Sequence, residues 1–215
     1  MAVPVYGLDI ETDTTVDGLD PSTSPITAVA VATAARDHVL LGPEPSMLAA
    51  LDSVLAELPP GLLVTWNGSG FDLPFLAERS RRTGVPLSLE MWADPGISRG
   101  RPGRADPEPV YRAQWFGHRH LDGYRLYRAD VGRSLGLSCG LKPLSRLVGL
   151  DPVVVDRTRM QDLDDVMLRD YVASDARLAR ELVLRRLPVA AAFADRAPGA
   201  ERAPSTDDCH STVPG

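Results

Sequence analysis

Lysine is almost absent from this 215-residue chain: Lys142 is the only one, and arginine carries the rest of the positive charge. No Gly-Lys-Thr loop exists to cradle a phosphate, so a small-molecule phosphohydrolase lacks support. Cysteine is equally scarce. Cys139 and Cys209 lie far apart, which excludes a disulfide framework and a cysteine zinc cluster and fits a reducing cytoplasm. No apolar run approaches the roughly 20 residues of a membrane-spanning helix, so no membrane partner is expected. The N-terminus carries neither a basic stretch nor the apolar core of a signal peptide.

What is present is an ordinary soluble composition, 44% apolar and 24% charged. The length suits one domain, expected over 1–194, followed by a Pro-, Ala- and Ser-rich tail over 195–215 that reads as disordered. The net charge of −6 argues at first against a nucleic-acid partner, because phosphate binders are usually basic. The distribution weakens that objection, since residues 97–133 hold eight arginines against four acids. There Arg99, Arg101, Arg104, Arg112, Arg119, Arg125 and Arg128 alternate with Tyr111, Trp115, Phe116, Tyr124 and Tyr127. A positive groove with aromatic platforms binds single strands. The alternative is a solvated loop beside ordinary core aromatics.

Strands are predicted over 3–10, 26–33, 38–41 and 62–66, and a further one over 111–121. Helical periodicity over 45–58 puts Leu48, Leu51, Val54, Leu55 and Leu58 on one face, and Pro59-Pro60-Gly61 ends it. Residues 13–25 read as a turn-rich connection, 67–70 as a tight turn, 71–82 as a helix and 95–109 as a mobile loop. Helices are expected over 124–135 and 142–147. A long helix starts at Asp164 or Asp165, both suited to cap it, and runs to about 187, where Pro188 stops it. This order implies an α/β fold with a central mixed β-sheet flanked by helices.

The informative acids sit at element ends. Asp9 and Glu11 are two apart on the first strand and therefore project to the same face. Two adjacent like charges on an apolar strand are costly unless a cation joins them. Asp72 follows the 66–70 strand and turn, at a helix start. Tyr171 and Asp175 are four apart on the long helix and share a face. Carboxylate oxygens suit Mg²⁺ or Mn²⁺ rather than zinc, and three or four of them can hold two such ions for in-line phosphoryl chemistry.

Three motifs carry a resemblance. Asp9-Ile10-Glu11-Thr12, Asn67-Gly68-Ser69-Gly70-Phe71-Asp72 and Tyr171-Val172-Ala173-Ser174-Asp175 occur in this order over most of the chain. Together they resemble the DEDD superfamily of 3′→5′ exonucleases, with the ribonuclease-H-like fold. The histidine subfamily has His five residues before the last Asp. That position here is Asp170, and tyrosine stands four before, so the chain is similar to the tyrosine type, as in the proofreading domain of family B DNA polymerases. No polymerase domain fits in this length, so the resemblance implies a freestanding version, with DNA repair or proofreading as its setting. It implies that Asp9 serves both metals, Glu11 and Asp175 the water-activating one, and Asp72 the second. Tyr171 would orient the water, Thr12 and Asn67 would hold the terminal nucleotide, and Phe71 would pack beside a base. The expected substrate is the 3′ end of single-stranded nucleic acid, DNA favoured over RNA, because a narrow site admits only an unpaired terminus. An exoribonuclease and a catalytically idle binding or scaffold module of the same fold are the alternatives.

Other features read more plainly. His118, His120 and Asp122 alternate on one strand face, but no further neutral donor completes a metal site, so hydrogen-bonded or exposed histidines are expected. Asp13, Asp17 and Asp20 do not meet calcium-loop spacing and read as a turn. Lys142 reads as a surface charge, with a phosphate contact as the alternative.

Overall fold

The computed structural model describes residues 3–99 and 108–187. Seven strands, β1 (Val5–Thr12), β2 (Ile26–Ala32), β3 (Asp37–Leu41), β4 (Leu62–Thr65), β5 (Leu89–Arg99), β6 (Glu108–Trp115) and β7 (His118–Asp122), form one sheet in the order β3-β2-β1-β4-β7-β6-β5. The sheet is mixed, as expected. β1 runs antiparallel to β2 and parallel to β4, β4 is parallel to β7, and the remaining neighbours are antiparallel.

Alternation along β1 gives each face its own cover. Tyr6, Leu8 and Ile10 point to the face covered by α1 (Glu44–Glu57) and α2 (Asp72–Thr83), where Leu48, Leu51, Leu55, Leu73 and Leu76 are fully buried. Each such leucine contributes about 1.5–3 kcal/mol through removal from water. Beyond β7 the chain continues through α3 (Gly123–Tyr127), a π turn over Arg128–Gly132, α4 (Arg133–Leu135) and α5 (Leu141–Leu147). The long α6 (Asp165–Arg185) then covers the opposite face. Its start is fixed by Asp164, whose carboxylate accepts from the Met167 N–H at 2.8 Å.

The α6 face of the sheet is built from small residues. Gly7 pairs with Ala32, Asp9 with Ala30 and Glu11 with Ala28 across the β1–β2 ladder. A Cβ on Gly7 would stand 1.9 Å from the carbonyl oxygen of Ala176, so only glycine lets the α6 backbone approach this closely. Val172 and Ala176 pack on Ala28, Ala30 and Ala32, and Ala179 and Val183 pack on Val5, Leu62 and Val64. The Arg180 Nε donates to the Val5 carbonyl at 2.8 Å and ties the helix to the strand.

Several boundaries differ from the sequence expectation. β1 begins later and continues to Thr12, which takes both Asp9 and Glu11 into the strand. The strand expected over 111–121 is a hairpin. Phe116 adopts a left-handed φ of 50° and reverses the chain before Gly117, leaving β6 and β7 antiparallel. β5 extends through Arg99 into the segment expected to be a loop. The rest of that loop up to residue 107, Pro188 and the expected tail 195–215 lie outside the described residues. Among the described residues, no helix is long and apolar enough to cross a membrane.

Candidate active site

The close seat of α6 on β1 has a direct chemical result. Asp9 and Glu11 share the α6-facing side of β1 with Gly7, and Asp175 directly precedes Ala176, whose carbonyl meets that glycine. Asp9, Glu11 and Asp175 each bring a carboxylate oxygen within 4.8 Å of the others. Asp175 is buried, while Asp9 and Glu11 keep some accessible surface. Three hard oxygen donors at this separation fit Mg²⁺ or Mn²⁺.

Asp72 arrives from the neighbouring strand. β4 pairs with β1 only as far as Gly7, so the β1 edge beyond it is open on that side. Asp72, the first residue of α2, is buried, and the Ile10 backbone N–H lies near enough to lower its proton affinity. The preceding turn is clamped from beneath. The Asp122 carboxylate accepts from the N–H groups of Asn67 at 3.0 Å and Ser69 at 3.2 Å, and also from Arg125, capping α3. Thr65 Oγ1 accepts from the Gly68 N–H, and a Cβ on Gly68 would lie 2.3 Å from that oxygen. Asn67 itself is left-handed at φ 72°, a conformation asparagine tolerates better than most residues.

Lys142 is a site residue, not the surface charge expected from sequence. Its ammonium donates to Asp175 and, at 2.8 Å, to the Val153 carbonyl, and it lies 4.2 Å from the centre of the Tyr171 ring. Tyr171 is buried on α6 one turn before Asp175. The only lysine of the chain therefore sits among the carboxylates.

The charges act on one another. Burial first, then the charges of Asp175, Glu11 and Asp72, hold the Asp9 carboxyl well above the usual range, while Lys142 pulls it down. Asp72 is pushed up to about 7, mainly by burial, with Asp122 adding to the rise and backbone N–H donors opposing it. Both shifts favour the protonated carboxyl, and a divalent ion at the cluster would compete with those protons.

The remaining expected residues divide. Asn67 lines a cavity beside the site. The Thr12 hydroxyl donates to the Gly18 carbonyl at 2.7 Å, which closes the loop after β1. Phe71 packs on Phe75, ring centres 5.3 Å apart. The histidines are consumed by packing. His118 is buried with Nε2 2.8 Å from the Leu55 carbonyl, and His120 bonds Thr65 at 2.8 Å, with burial lowering its pKa to about 4. Asp13, Asp17 and Asp20 each accept from a backbone N–H two residues on, as turn residues do.

The fold is shared with known proteins. Among curated proteins, none matches the sequence. The family B DNA polymerase of the hyperthermophilic archaeon Pyrobaculum calidifontis is similar in structure, with a TM-score of 0.67 and 22% identity. The likeness covers 87% of this chain and 25% of the polymerase, so the chain spans a quarter of that protein's length. The family model described as the RNase H superfamily matches residues 7–162, which include Asp9, Glu11 and Asp72 and stop short of α6. With that match extending over more than half of its length, the chain belongs to the RNase H superfamily.

Proposed function

We propose that this chain is a divalent-metal-dependent 3′→5′ exonuclease that hydrolyses the 3′-terminal phosphodiesters of single-stranded DNA, or of frayed 3′ ends, and releases 5′-mononucleotides. The superfamily supports nuclease-type activity. The observation that carries the finer reading is the convergence of Asp9, Glu11 and Asp175, beside Asp72 and Tyr171.

In this reading Asp9, Glu11, Asp72 and Asp175 would hold two cations, with Asp9 serving both, Glu11 and Asp175 one, and Asp72 the other. When bound, Mg²⁺ or Mn²⁺ supplies Lewis-acid stabilisation of the charge that builds on the phosphoryl oxygens. The Tyr171 hydroxyl orients the attacking water. Lys142 is a positioning residue: it fixes Asp175 and offsets part of the cluster's charge. Asn67 and Thr12 hold the terminal nucleotide, Thr12 through the acceptor capacity its hydroxyl oxygen keeps, and Phe71 borders the base. Trimming of 3′ ends in cytoplasmic DNA repair or proofreading is the setting this activity suits.

The test compares a linear 5′-labelled DNA strand with a circular single strand of the same sequence, with Mg²⁺ or Mn²⁺. The linear strand is expected to shorten from its 3′ end while the circle stays intact. Cleavage of the circle would make the activity endonucleolytic and contradict the reading.

A further inference from the structure

A cavity of about 1210 Å³ borders the site, lined among others by Asn67, Ser69, Tyr124, Arg125, Arg128 and Gly140. The chain links it to the carboxylates: Asp72 lies two residues beyond Gly70 and Lys142 two beyond Gly140, both lining glycines, and the charge of the lining Asp122 acts on Asp72. The volume exceeds the roughly 300–1,000 Å³ of sites for single small molecules, so it has room for more than one nucleotide.

The arginines of this region differ in their commitments. Arg112 is paired with Asp94 at 3.0 Å. Arg128 donates to the Tyr124 hydroxyl at 2.8 Å and stands 6.0 Å from that ring's centre. The half-buried Arg125 guanidinium has no hydrogen bond or ion pair among the described residues. Its neighbour Asp122 spends its carboxylate on backbone N–H groups. The charges of Asp122 and Asp94 attract this partly desolvated cation without bonding its guanidinium, and an anion in the cavity would engage those N–H groups. A guanidinium suits a phosphate, which it can grip through two N–H groups at once.

We propose that this cavity holds the strand behind its 3′ terminus. Arg125 takes the phosphodiester one or two nucleotides upstream of the scissile bond, and Tyr124, steadied by Arg128, offers its ring to a base. The direction of the strand rests on the exonuclease reading; the anion site does not. A free mononucleotide product carries the same phosphate chemistry, so the test separates the two.

Binding is measured with chelator present, so that no turnover occurs, by competition of dT2, dT4 and dT6 against a fluorescein-labelled dT8. Wild-type affinity is expected to rise about tenfold from dT2 to dT4 and to fall steeply with salt. Arg125→Gln is expected to lose that gain, with the slope of log K against log salt reduced by about one. Arg128→Ala, at an exposed position, is expected to lose about threefold of the same gain, which keeps the test open if the Gln variant folds poorly. Wild-type length dependence in both variants would overturn the proposal. So would an equal loss for thymidine 5′-monophosphate, which would mark the cavity as a product site. Length-dependent binding through Arg125 without any nuclease activity would sink the exonuclease reading and leave the strand site standing. Turnover with unchanged binding in Arg125→Gln would sink this proposal alone.

Discussion

Asp9, Glu11 and Asp175 are three carboxylates crowded within reach of one ion, and replacing Asp9 or Asp175 has a definite expectation. Asp9→Ala and Asp175→Ala each remove ligand oxygens while relieving repulsion. Turnover is expected to fall by roughly 10²–10³-fold or more, with the melting temperature in chelator unchanged or raised for Asp9→Ala and lowered for Asp175→Ala, which strips Lys142 of its ion pair. Wild-type turnover in either variant would contradict the metal assignment. Tyr171→Phe is expected to lower the rate by about 10²-fold with the Mg²⁺ midpoint unchanged, because only the water-orienting hydroxyl is lost. A matching loss of metal affinity would argue against that role. Lys142→Met removes the cation that lowers the proton affinity of Asp9. The acidic limb of the pH–rate profile is therefore expected to move to higher pH; a lower rate with an unmoved limb would confine Lys142 to packing. The shared faces of Asp9 with Glu11 and of Tyr171 with Asp175 are legible in the sequence because a spacing of two or four residues has a fixed geometric meaning on a strand or helix, whereas Asp72 stands out only through the motif resemblance. Lys142 was not legible, because its partner Asp175 lies 33 residues away and nothing in Gly140-Leu141-Lys142 signals that contact.

Elements bring those residues together, and the decisive contact between elements is the seat of α6 on β1. Gly7→Ala puts a methyl group 1.9 Å from the Ala176 carbonyl oxygen, so the helix must lift from the strand. The expected cost is at least the roughly 1–3 kcal/mol of an overpacked core, measured by urea unfolding. Turnover is expected to fall further than stability alone explains, since Asp175 moves with the helix. Unchanged activity in a folded Gly7→Ala protein would show that the carboxylates tolerate a looser seat. Most strand and helix positions followed from periodicity, and Asp164 marked the start of α6 as capping chemistry suggests, but β5 was not expected and the helix expected over 124–135 is broken by a π turn at Arg128–Gly132. The hairpin between β6 and β7 escaped because Phe116, a non-glycine residue in a left-handed turn, breaks no hydrophobic pattern. Asp122 was read only with the two histidines. Its clamp on the 67–69 turn crosses 55 and 53 residues of sequence, a distance that local patterns do not report.

For the whole molecule, a net charge of −6 and a buried acidic cluster imply that stability, pH and divalent cations are linked. Asp72 is pushed up from its ordinary 3.8 to about 7 in the folded chain. From about pH 4 to 7 the folded state thus holds a proton that the unfolded state has lost, and stability falls as pH rises through that window. The melting temperature in chelator is expected to be several degrees lower at pH 8 than at pH 5. Excess Mg²⁺ is expected to recover most of that difference at pH 8, because on the proposed reading it would bind only the assembled site. In the proposed reading the same linkage reconciles an acidic chain with a polyanionic substrate, because cations at the carboxylates and arginines along the adjoining cavity would neutralise charge locally. The most direct measurement is degradation of a 5′-labelled single-stranded DNA, and of its RNA counterpart, with Mg²⁺, Mn²⁺ or chelator, beside Asp9→Ala. A metal-dependent ladder that shortens from the 3′ end of the DNA, and is lost in the variant, is the predicted result. Intact strands under every metal, or a ladder that persists in Asp9→Ala, would contradict it.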